Sequence, residues 1–286
     1  MKILVVGGTG ALGGHCAIHL ASKGHDVSVG GRNPANPATP MAAMPFVQGD
    51  YVAGDYTPDK LAGFDWVVFA AGNDPRHVPQ GADFAEFLIK ANHEAVPAFF
   101  AACRTAGVQR AVQLGSYYHQ AAPELLEGNG YIRSRKAACE GARAQAAPGF
   151  DVISVNAPFM VGSVPGLPSM IFDPYVQWAQ GKIPILHFGP TGGTNFMSFL
   201  SLSEAIEGAL KTARKGTSWY ALDLEGRAAH AGLDPERGIN ALLAASELAL
   251  ASTGWADADA GVQRREQHPF SLLGRRRHAV GMAQVH

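Results

Sequence analysis

The chain has 286 residues, 47% hydrophobic and 16% charged, and its formal net charge is −1. This length and apolar content suffice for a substantial core, and the near-neutral charge gives no reason to expect nucleic acid or an anionic membrane as a partner. No apolar run is long enough to span a bilayer, and three scattered cysteines are typical of thiols in a reducing compartment. We therefore expect a cytoplasmic protein with no signal peptide, a small-molecule substrate and a monomeric or homodimeric state.

The first 32 residues predict a strand, a glycine-rich turn, a helix and a second strand. The apolar run 1–6 leads into GGTGALGG (7–14), then CAIHLASKG and DVSVG (26–30). Glycine tolerates positive φ and lets a phosphate approach the backbone, and the helix that follows directs its N–H groups and positive dipole end at an anion. Glycines at this spacing between a strand and a helix predict a dinucleotide site. Its expected cofactor-binding residues are Gly7, Thr9, Gly10, Ala11, Leu12 and Gly13.

The end of the second strand predicts which dinucleotide binds. An NAD site usually carries an Asp or Glu there, about 20 residues beyond the glycines, to bind ribose hydroxyls. Here the chain has Gly-Gly-Arg32-Asn, without an acid, while Asp26 comes too early in the strand. A small residue followed by Arg leaves room for a 2′-phosphate and supplies a guanidinium that can bind it. We therefore expect NADP(H) as the cofactor, with NAD(H) as the second choice.

Further apolar runs alternate with helical patterns along the chain. Runs at 45–50, 65–72, 109–116, 150–158 and 218–224 predict strands, and 83–106 and 131–146 predict helices. This alternation is typical of an α/β fold with a doubly wound, Rossmann-type parallel sheet. Ligands of such sheets bind at the carboxyl ends of the strands. The additional cofactor-binding candidates are Asp50, Ala70, Ala71 and Gly72.

Several of these motifs together resemble the extended and atypical short-chain dehydrogenases/reductases, the NAD-dependent epimerase/dehydratase-like group. The motifs are GGTGALGGHCAIHLASKGHDV, GD at 49–50, VVFAAG, KANHEAV, GVQRAVQLGS, NAPFMVG and NFMSFLSLSEAIEGAL. The resemblance implies a Rossmann domain over 1–160 and a small substrate-binding region over 161–286. Within that region, 195–224 would return to the Rossmann core and 226–286 would form a divergent tail. It also implies hydride transfer by a reductase, an epimerase or a dehydratase.

The resemblance further implies a catalytic Tyr, a Lys four residues later and a Ser at the end of the fifth strand. The cation lowers the pKa of the phenol and binds the nicotinamide ribose, and the Ser polarises the substrate oxygen. The corresponding residues would be Tyr131, Lys136 and Ser116, with Asn92 positioning the active-site helix or a water. Lys136 and Pro158 would also contact the cofactor.

The spacing from Tyr131 to Lys136 is five residues, so Arg135 occupies the usual place of the lysine. One extra helical residue turns a side chain by about 100°. Three interpretations follow. Tyr131 precedes the helix and still pairs with Lys136, or Arg135 replaces the lysine, or the pair is degenerate. In the last case the protein would be a non-catalytic NAD(P)-binding sensor or assembly factor. The spacing of Lys136 to Glu140 matches the resembling group and favours the first interpretation.

Other polar groups allow more modest interpretations. Tyr117 or Tyr118 could replace Ser116 as the donor to the substrate. His15 and His19 have helical metal-ligand spacing but no accompanying Glu or third ligand nearby in the sequence, so we expect no metal. Ser201-Leu-Ser-Glu204 predicts a capping box that opens a helix. The scarcity of Arg and Lys in 161–193 favours a small carbonyl, hydroxyl or sugar-like substrate over a heavily charged one.

Overall fold

A parallel sheet of six strands forms the centre of the protein in the computed structural model, which describes residues 1–74, 77–168, 172–180, 182 and 195–211. The strand order is β3-β2-β1-β4-β5-β6. The six strands are β1 (Lys2–Val6), β2 (Asp26–Gly31), β3 (Phe46–Gln48), β4 (Trp66–Phe69), β5 (Arg110–Ser116) and β6 (Asp151–Ala157). The strand order reverses direction beside β1, which places a crevice at the carboxyl end of that strand. The predicted Rossmann-type α/β fold is confirmed.

Nine helices and a second, two-stranded parallel sheet accompany this central sheet in the described ranges. The small sheet pairs β7 (Phe159–Val161) with β8 (Phe196–Ser198). The helices are α1 (Ala11–Ser22), α2 (Pro58–Leu61), α3 (Phe84–Leu88), α4 (Ala95–Thr105), α5 (Tyr118–Ala121), α6 (Leu125–Gly128), α7 (Gly130–Arg143), α8 (Phe172–Ala179) and α9 (Phe199–Lys211). A 3₁₀ turn (Pro40–Ala43) precedes β3, and a π-helical turn (Ile89–Glu94) joins α3 to α4.

The central sheet is buried on both faces because its strands are apolar at successive positions. In β1, Ile3 and Val5 pack in the cluster that contains residues of α1 and α9, whereas Leu4 and Val6 pack in the cluster that contains residues of α4 and α7. Successive side chains of a strand point to opposite faces, so a continuous apolar run fits a sheet with helices on both sides. The crevice at the carboxyl end of β1 therefore lies at the edge of a sheet that is packed on both faces.

The helix boundaries differ from the predicted ones at three places. The predicted helix 83–106 is divided by the π-helical turn, and α7 begins one residue earlier than predicted because Asn129 Oδ1 accepts a hydrogen bond from the Ile132 amide. The predicted capping box at Ser201 is wrong. Helix α9 already begins at Phe199, and the Ser201 amide donates to Ser198 Oγ at 3.0 Å. An upstream serine therefore caps this helix.

His15 and His19 both connect α1 to α9. His15 Nδ1 lies 2.8 Å from Ser203 Oγ, and His19 Nε2 lies 2.6 Å from Glu207 Oε2. The carboxylate that the local sequence lacks is thus supplied from 188 residues away. The spacing of His15 and His19 thus places both side chains on the face of α1 that contacts α9.

Several predicted features lie outside the described residues: the strand at 218–224, the tail at 226–286 and part of 161–193. The division into domains at residue 160 therefore stays a prediction. Among the described residues, no helix is both long and apolar enough to cross a bilayer.

Candidate functional site at the carboxyl edge of the sheet

The glycine turn after β1 is built by close contacts that exclude side chains. Gly7 has φ +83°, and a Cβ there would lie 2.6 Å from the Ala71 amide nitrogen. A Cβ at Gly13 would overlap the Gly7 carbonyl oxygen. The lack of a side chain at Gly7 therefore lets the turn pack against the residues after β4. The lack of a side chain at Gly13 lets the first turn of α1 pack against Gly7.

Gly10 differs, because the nearest atom to a Cβ there would be Gly7 O at 3.5 Å, an ordinary contact. Gly10 is exposed and immediately precedes α1, and it offers no side chain to cap the helix. The first N–H groups of a helix lack partners within the helix, and no acidic side chain occupies the first turn of α1. A bare backbone at the positive end of a helix fits a pyrophosphate. The residues of the turn therefore fit a dinucleotide, with Ala11 and Leu12 half-buried at the start of the helix.

Thr9 and the end of β2 lie next to each other beside the turn. A Cβ at Gly31 would lie 2.9 Å from Thr9 Oγ1, so this pair of residues leaves room only for glycine. Exposed Arg32 follows directly. The strand thus ends in a small residue and a guanidinium, on the same side of the sheet edge as Thr9.

A cleft of about 390 Å³ extends from Arg32 to the loop after β3. Its lining residues are Arg32, Gln48, Gly49, Asp50, Asp55 and Lys60. Strand β3 ends at Gln48, two residues before the predicted end at Asp50. The two carboxylates hold their own loop together, because Asp50 Oδ1 accepts from the Val52 amide and Asp55 Oδ2 accepts from the Asp50 amide. Lys60 Nζ donates to Gln48 O at 2.9 Å.

Tyr131 is the second residue of α7 and is half-buried. The interpretation in which it precedes the helix is therefore wrong, because the Asn129 cap starts the helix before it. Residues four apart share a helix face, whereas residues five apart do not. The side chain on the face of Tyr131 is consequently that of Arg135.

Arg135 and Lys136 have contrasting environments. Arg135 is 8% exposed, and its Nη2 donates to Leu114 O at 3.0 Å, near the carboxyl end of β5. A Cβ at Gly72 would lie 3.2 Å from Arg135 Nη1. The Lys136 side chain is 41% exposed, and its Nζ lies 3.8 Å from Glu140 Oε1. Arg135 thus extends beneath the loop after β4, whereas Lys136 pairs along its own helix.

Asn92 joins that same loop to α7. It is fully buried in the π-helical turn, and its Nδ2 donates to Asn73 O at 3.1 Å and to Ser134 Oγ at 3.2 Å. The Asn73 Nδ2 in turn donates to the Tyr51 hydroxyl oxygen at 2.7 Å. A π-helical turn inserts one residue into a helix, often at a functional site. Here the turn places an amide between the β4 loop and the helix that carries Tyr131.

Ser116 ends β5 and is half-buried, and its partner in the sheet register is Ala157 of β6. Pro158 follows Ala157 and separates β6 from β7. Tyr117 and Tyr118 come next to Ser116, with ring centroids 4.8 Å apart. Ser116 and Pro158 thus lie at the ends of neighbouring strands.

The polar groups that sequence reasoning missed lie between the sheet and α7. Gln113 is fully buried in β5, and both of its side-chain amide atoms lack a hydrogen-bond partner among the described residues. Asn156 Nδ2 donates to Gln120 Oε1 at 2.9 Å, and its Oδ1 occupies the space that a Cβ of Gly115 would need. The sequence did carry a signal for them, because a polar residue inside an otherwise apolar strand is costly to bury and is therefore rarely found there.

Comparison with known proteins identifies the family. The model of the NAD dependent epimerase/dehydratase family matches residues 3–219. A second model, the peptidase dimerisation domain, matches residues 212–259, beyond the described part of the chain. A search of curated proteins gives no match.

Solved structures share the fold at low sequence identity. "MoeE5 in complex with UDP-glucuronic acid and NAD" has a TM-score of 0.61 and 22% identity, covering 76% of this chain and 74% of that one. A UDP-glucose-4-epimerase from Stenotrophomonas maltophila, "with bound NAD and formylated UDP-arabinopyranose", has a TM-score of 0.59 and 22% identity, covering 74% of each chain. A UDP-N-acetylglucosamine 4-epimerase from Bacillus cereus has a TM-score of 0.56 and 19% identity, covering 74% of this chain and 72% of that one.

The family model covers most of the chain, including every predicted cofactor-binding and catalytic residue. The chain belongs to the NAD-dependent epimerase/dehydratase family and is an enzyme of the extended short-chain dehydrogenase/reductase type.

Proposed function

We propose that this enzyme interconverts carbonyl and hydroxyl forms of a sugar nucleotide, as an epimerase, a dehydratase or an oxidoreductase, with a nicotinamide dinucleotide bound along the carboxyl edge of the sheet. The observation that carries the proposal is the bare glycine turn at the start of α1, beside the end of β4. The sugar-nucleotide substrate is supported by two structural neighbours, which were solved with UDP-glucuronic acid and with formylated UDP-arabinopyranose. It differs from the weakly charged substrate that the scarcity of Arg and Lys in 161–193 favours. When bound, the nicotinamide supplies a site that accepts or donates a hydride.

Within this site, Tyr131 is the proton donor and acceptor for the substrate oxygen. An isolated phenol has a pKa near 10, so a nearby cation must lower it for proton transfer at neutral pH. Arg135 and Lys136 of α7 are the two candidates for that cation. Ser116 polarises the same oxygen by hydrogen bonding, and Asn92 positions α7 through Ser134.

A Tyr131→Phe variant tests this role. We expect its turnover of UDP-glucose, UDP-glucuronic acid or UDP-N-acetylglucosamine to fall about 100-fold or more, because general acid–base catalysis contributes that much. Dinucleotide affinity should change by less than about threefold, since the phenol acts on the substrate. Tyr118→Phe, which alters a neighbouring aromatic, is the comparison. Unchanged turnover in Tyr131→Phe, or a loss only in Tyr118→Phe, would remove Tyr131 from the mechanism.

NADP(H) is the proposed cofactor, on the strength of the cleft beyond β2. Arg32 has no carboxylate within ion-pair distance among the described residues, and Lys60 adds a second cation. Asp50 and Asp55 of the same cleft keep their negative charges, but each accepts a hydrogen bond from a backbone amide of its own loop, so the exposed guanidinium of Arg32 is the group that would bind a 2′-phosphate. NAD(H) is the second candidate because both of those neighbours were solved with NAD.

Titration of the parent and an Arg32→Ala variant with NADPH and NADH separates the two cofactors. We expect Arg32→Ala to weaken NADPH binding about tenfold or more and NADH binding less than about threefold, since hydrogen bonds to a charged group contribute about 1.5–3 kcal/mol. Arg104→Ala, at an exposed arginine of α4, is the matched control. Tighter NADH binding by the parent, with a ratio unchanged by Arg32→Ala, would assign NAD(H) instead.

A further inference from the structure

Arg135 is a buried cation without a counter-charge. It is 8% exposed, and no carboxylate of the described residues lies within 4.0 Å of its guanidinium. Its Nε is buried and has no hydrogen-bond partner in the described part of the chain. Arginine is almost never buried without a partner, because desolvation of the charge is costly. A buried guanidinium that is held by one carbonyl oxygen and has no counter-charge therefore points to an anionic or hydroxyl-rich ligand that binds nearby.

The position of the guanidinium identifies where this ligand would lie. Nη2 is anchored on Leu114 O, and Nη1 faces the Cα of Gly72, which is exposed at the end of the β4 loop. The same loop contacts the glycine turn, since a Cβ on Gly7 would meet Ala71 and Ala70. The glycine turn and Arg135 thus both lie against the loop 70–72, the turn at Ala70 and Ala71 and the guanidinium at Gly72.

Gly72 suits this arrangement. A Cβ there would lie 3.2 Å from Nη1, a tight contact, so the absence of a side chain lets the guanidinium lie close to the loop. Lys136 cannot do the same from its present position, because it projects from another face of α7 and lies beside Glu140.

From these contacts we infer that Arg135, and not Lys136, is the cation that α7 contributes to the dinucleotide site, where it binds the cofactor and lies on the helix face of Tyr131. The assignment rests on the proposed dinucleotide-dependent function. A guanidinium keeps its charge at every physiological pH and offers five donors in a fixed plane, so it can hold the ribose side of the cofactor while Nη2 stays on Leu114.

The test compares three substitutions of similar shape in α7: Arg135→Met, Lys136→Met and Arg143→Met. Arg143 is an exposed arginine in the last turn of the same helix and serves as the control. Each protein is titrated with NADPH and NADH by calorimetry, and thermal unfolding without dinucleotide is recorded in parallel. We expect Arg135→Met to bind either dinucleotide about 10- to 100-fold more weakly, and the other two variants to bind within about threefold of the parent.

Thermal unfolding separates a ligand-binding role from a structural one. Because Arg135→Met removes a buried charge that has no counter-charge, the thermal midpoint of the variant without dinucleotide should equal or exceed that of the parent. If the midpoint falls, Arg135→Lys provides the second comparison, because it keeps a charge but loses the fixed plane. It should bind more tightly than Arg135→Met and more weakly than the parent.

Three outcomes would overturn the assignment. Parent-like dinucleotide binding by Arg135→Met would show that the guanidinium does not act on the cofactor. Weak binding by Lys136→Met alone would return the role to Lys136. Binding losses in Arg135→Met and Arg135→Lys that only parallel their losses of stability would make Arg135 structural. Failure of the parent protein to bind either dinucleotide would instead refute the proposed function. This result is distinguishable from a failure of the Arg135 assignment because it is seen in the parent alone.

Discussion

Gly10 and Gly13 lie three residues apart, yet the fold requires glycine only at position 13. Gly13 is needed by the fold, because a Cβ there would overlap the Gly7 carbonyl oxygen. Gly10 has space for a Cβ, and its φ of −95° suits any residue. We propose that glycine at position 10 instead lets a ligand approach the backbone.

Alanine substitutions separate these two roles. We expect Gly13→Ala to lower the free energy of unfolding by about 1–3 kcal/mol, as overpacking does. Gly10→Ala should change it by less than about 0.5 kcal/mol, but weaken dinucleotide binding about tenfold or more. Chemical denaturation and a dinucleotide titration measure the two effects. Parent-like binding by Gly10→Ala would contradict the proposed position of the pyrophosphate.

At the scale of single residues, the conformation of the glycine turn was predictable because it depends on local backbone geometry, whereas the role of Arg32 stays a prediction. The burial of Arg135 was not, since it depends on Gly72 and Leu114, which the fold brings together. Sequence spacing showed the departure at Tyr131, and only the start of α7 at Gly130 decided which cation shares its face.

Helix α9 holds α1 in place from the far end of the described chain. Leu202, Ile206 and Leu210 pack in the cluster that includes Leu20 of α1, and His19 bonds Glu207. Burial alone would raise the pKa of Glu207, but hydrogen bonds from Lys211 and His19 outweigh it and hold the pKa below its ordinary value of 4.5. Because α1 begins at the glycine turn, this contact supports the site.

The stability that Glu207 contributes should depend on pH. A carboxyl with a lowered pKa stabilises the fold fully above about pH 4.5 and loses this contribution as pH falls through its folded value. At pH 7, Glu207→Gln should cost about 1–2 kcal/mol of unfolding free energy, and the difference from the parent should shrink below pH 4. Denaturant titrations of both proteins at several pH values measure this difference in unfolding free energy.

The control for that series is Lys211→Met. Its ammonium is exposed, so its substitution should cost less than about 1 kcal/mol, as for other surface pairs. A Glu207→Gln cost that grows as pH is lowered would contradict the assigned direction of the shift.

Elements were predictable where one continuous pattern determines them. The runs that became β1, β2, β5 and β6 match their observed bounds to within one residue at each end. The cap of α9 and the division of the helix at 83–106 were missed, because a serine outside the periodic pattern and an inserted π-helical residue leave no mark on hydrophobic spacing. The connection from His19 to Glu207 spans 188 residues, beyond any local pattern.

At the scale of the whole molecule, a dinucleotide along the sheet edge would join four separate segments: the glycine turn, the end of β2, the β4 loop and α7. A ligand that binds the folded state alone adds about 2.7 kcal/mol of stability at 100 times its Kd. We therefore expect NADPH or NADH to raise the thermal midpoint by roughly 5–10 °C. Differential scanning fluorimetry checks this, and AMP at equal concentration, which lacks the pyrophosphate bridge, should shift the midpoint less.

A crystal of this enzyme soaked with NADPH would show directly where the dinucleotide binds. We predict a pyrophosphate on the backbone amides at the start of α1, over Gly10, with the cofactor extending across the loop 70–72 towards Arg135 and Tyr131. A dinucleotide bound elsewhere, or a crevice at Gly10 filled by side chains of the protein, would contradict it.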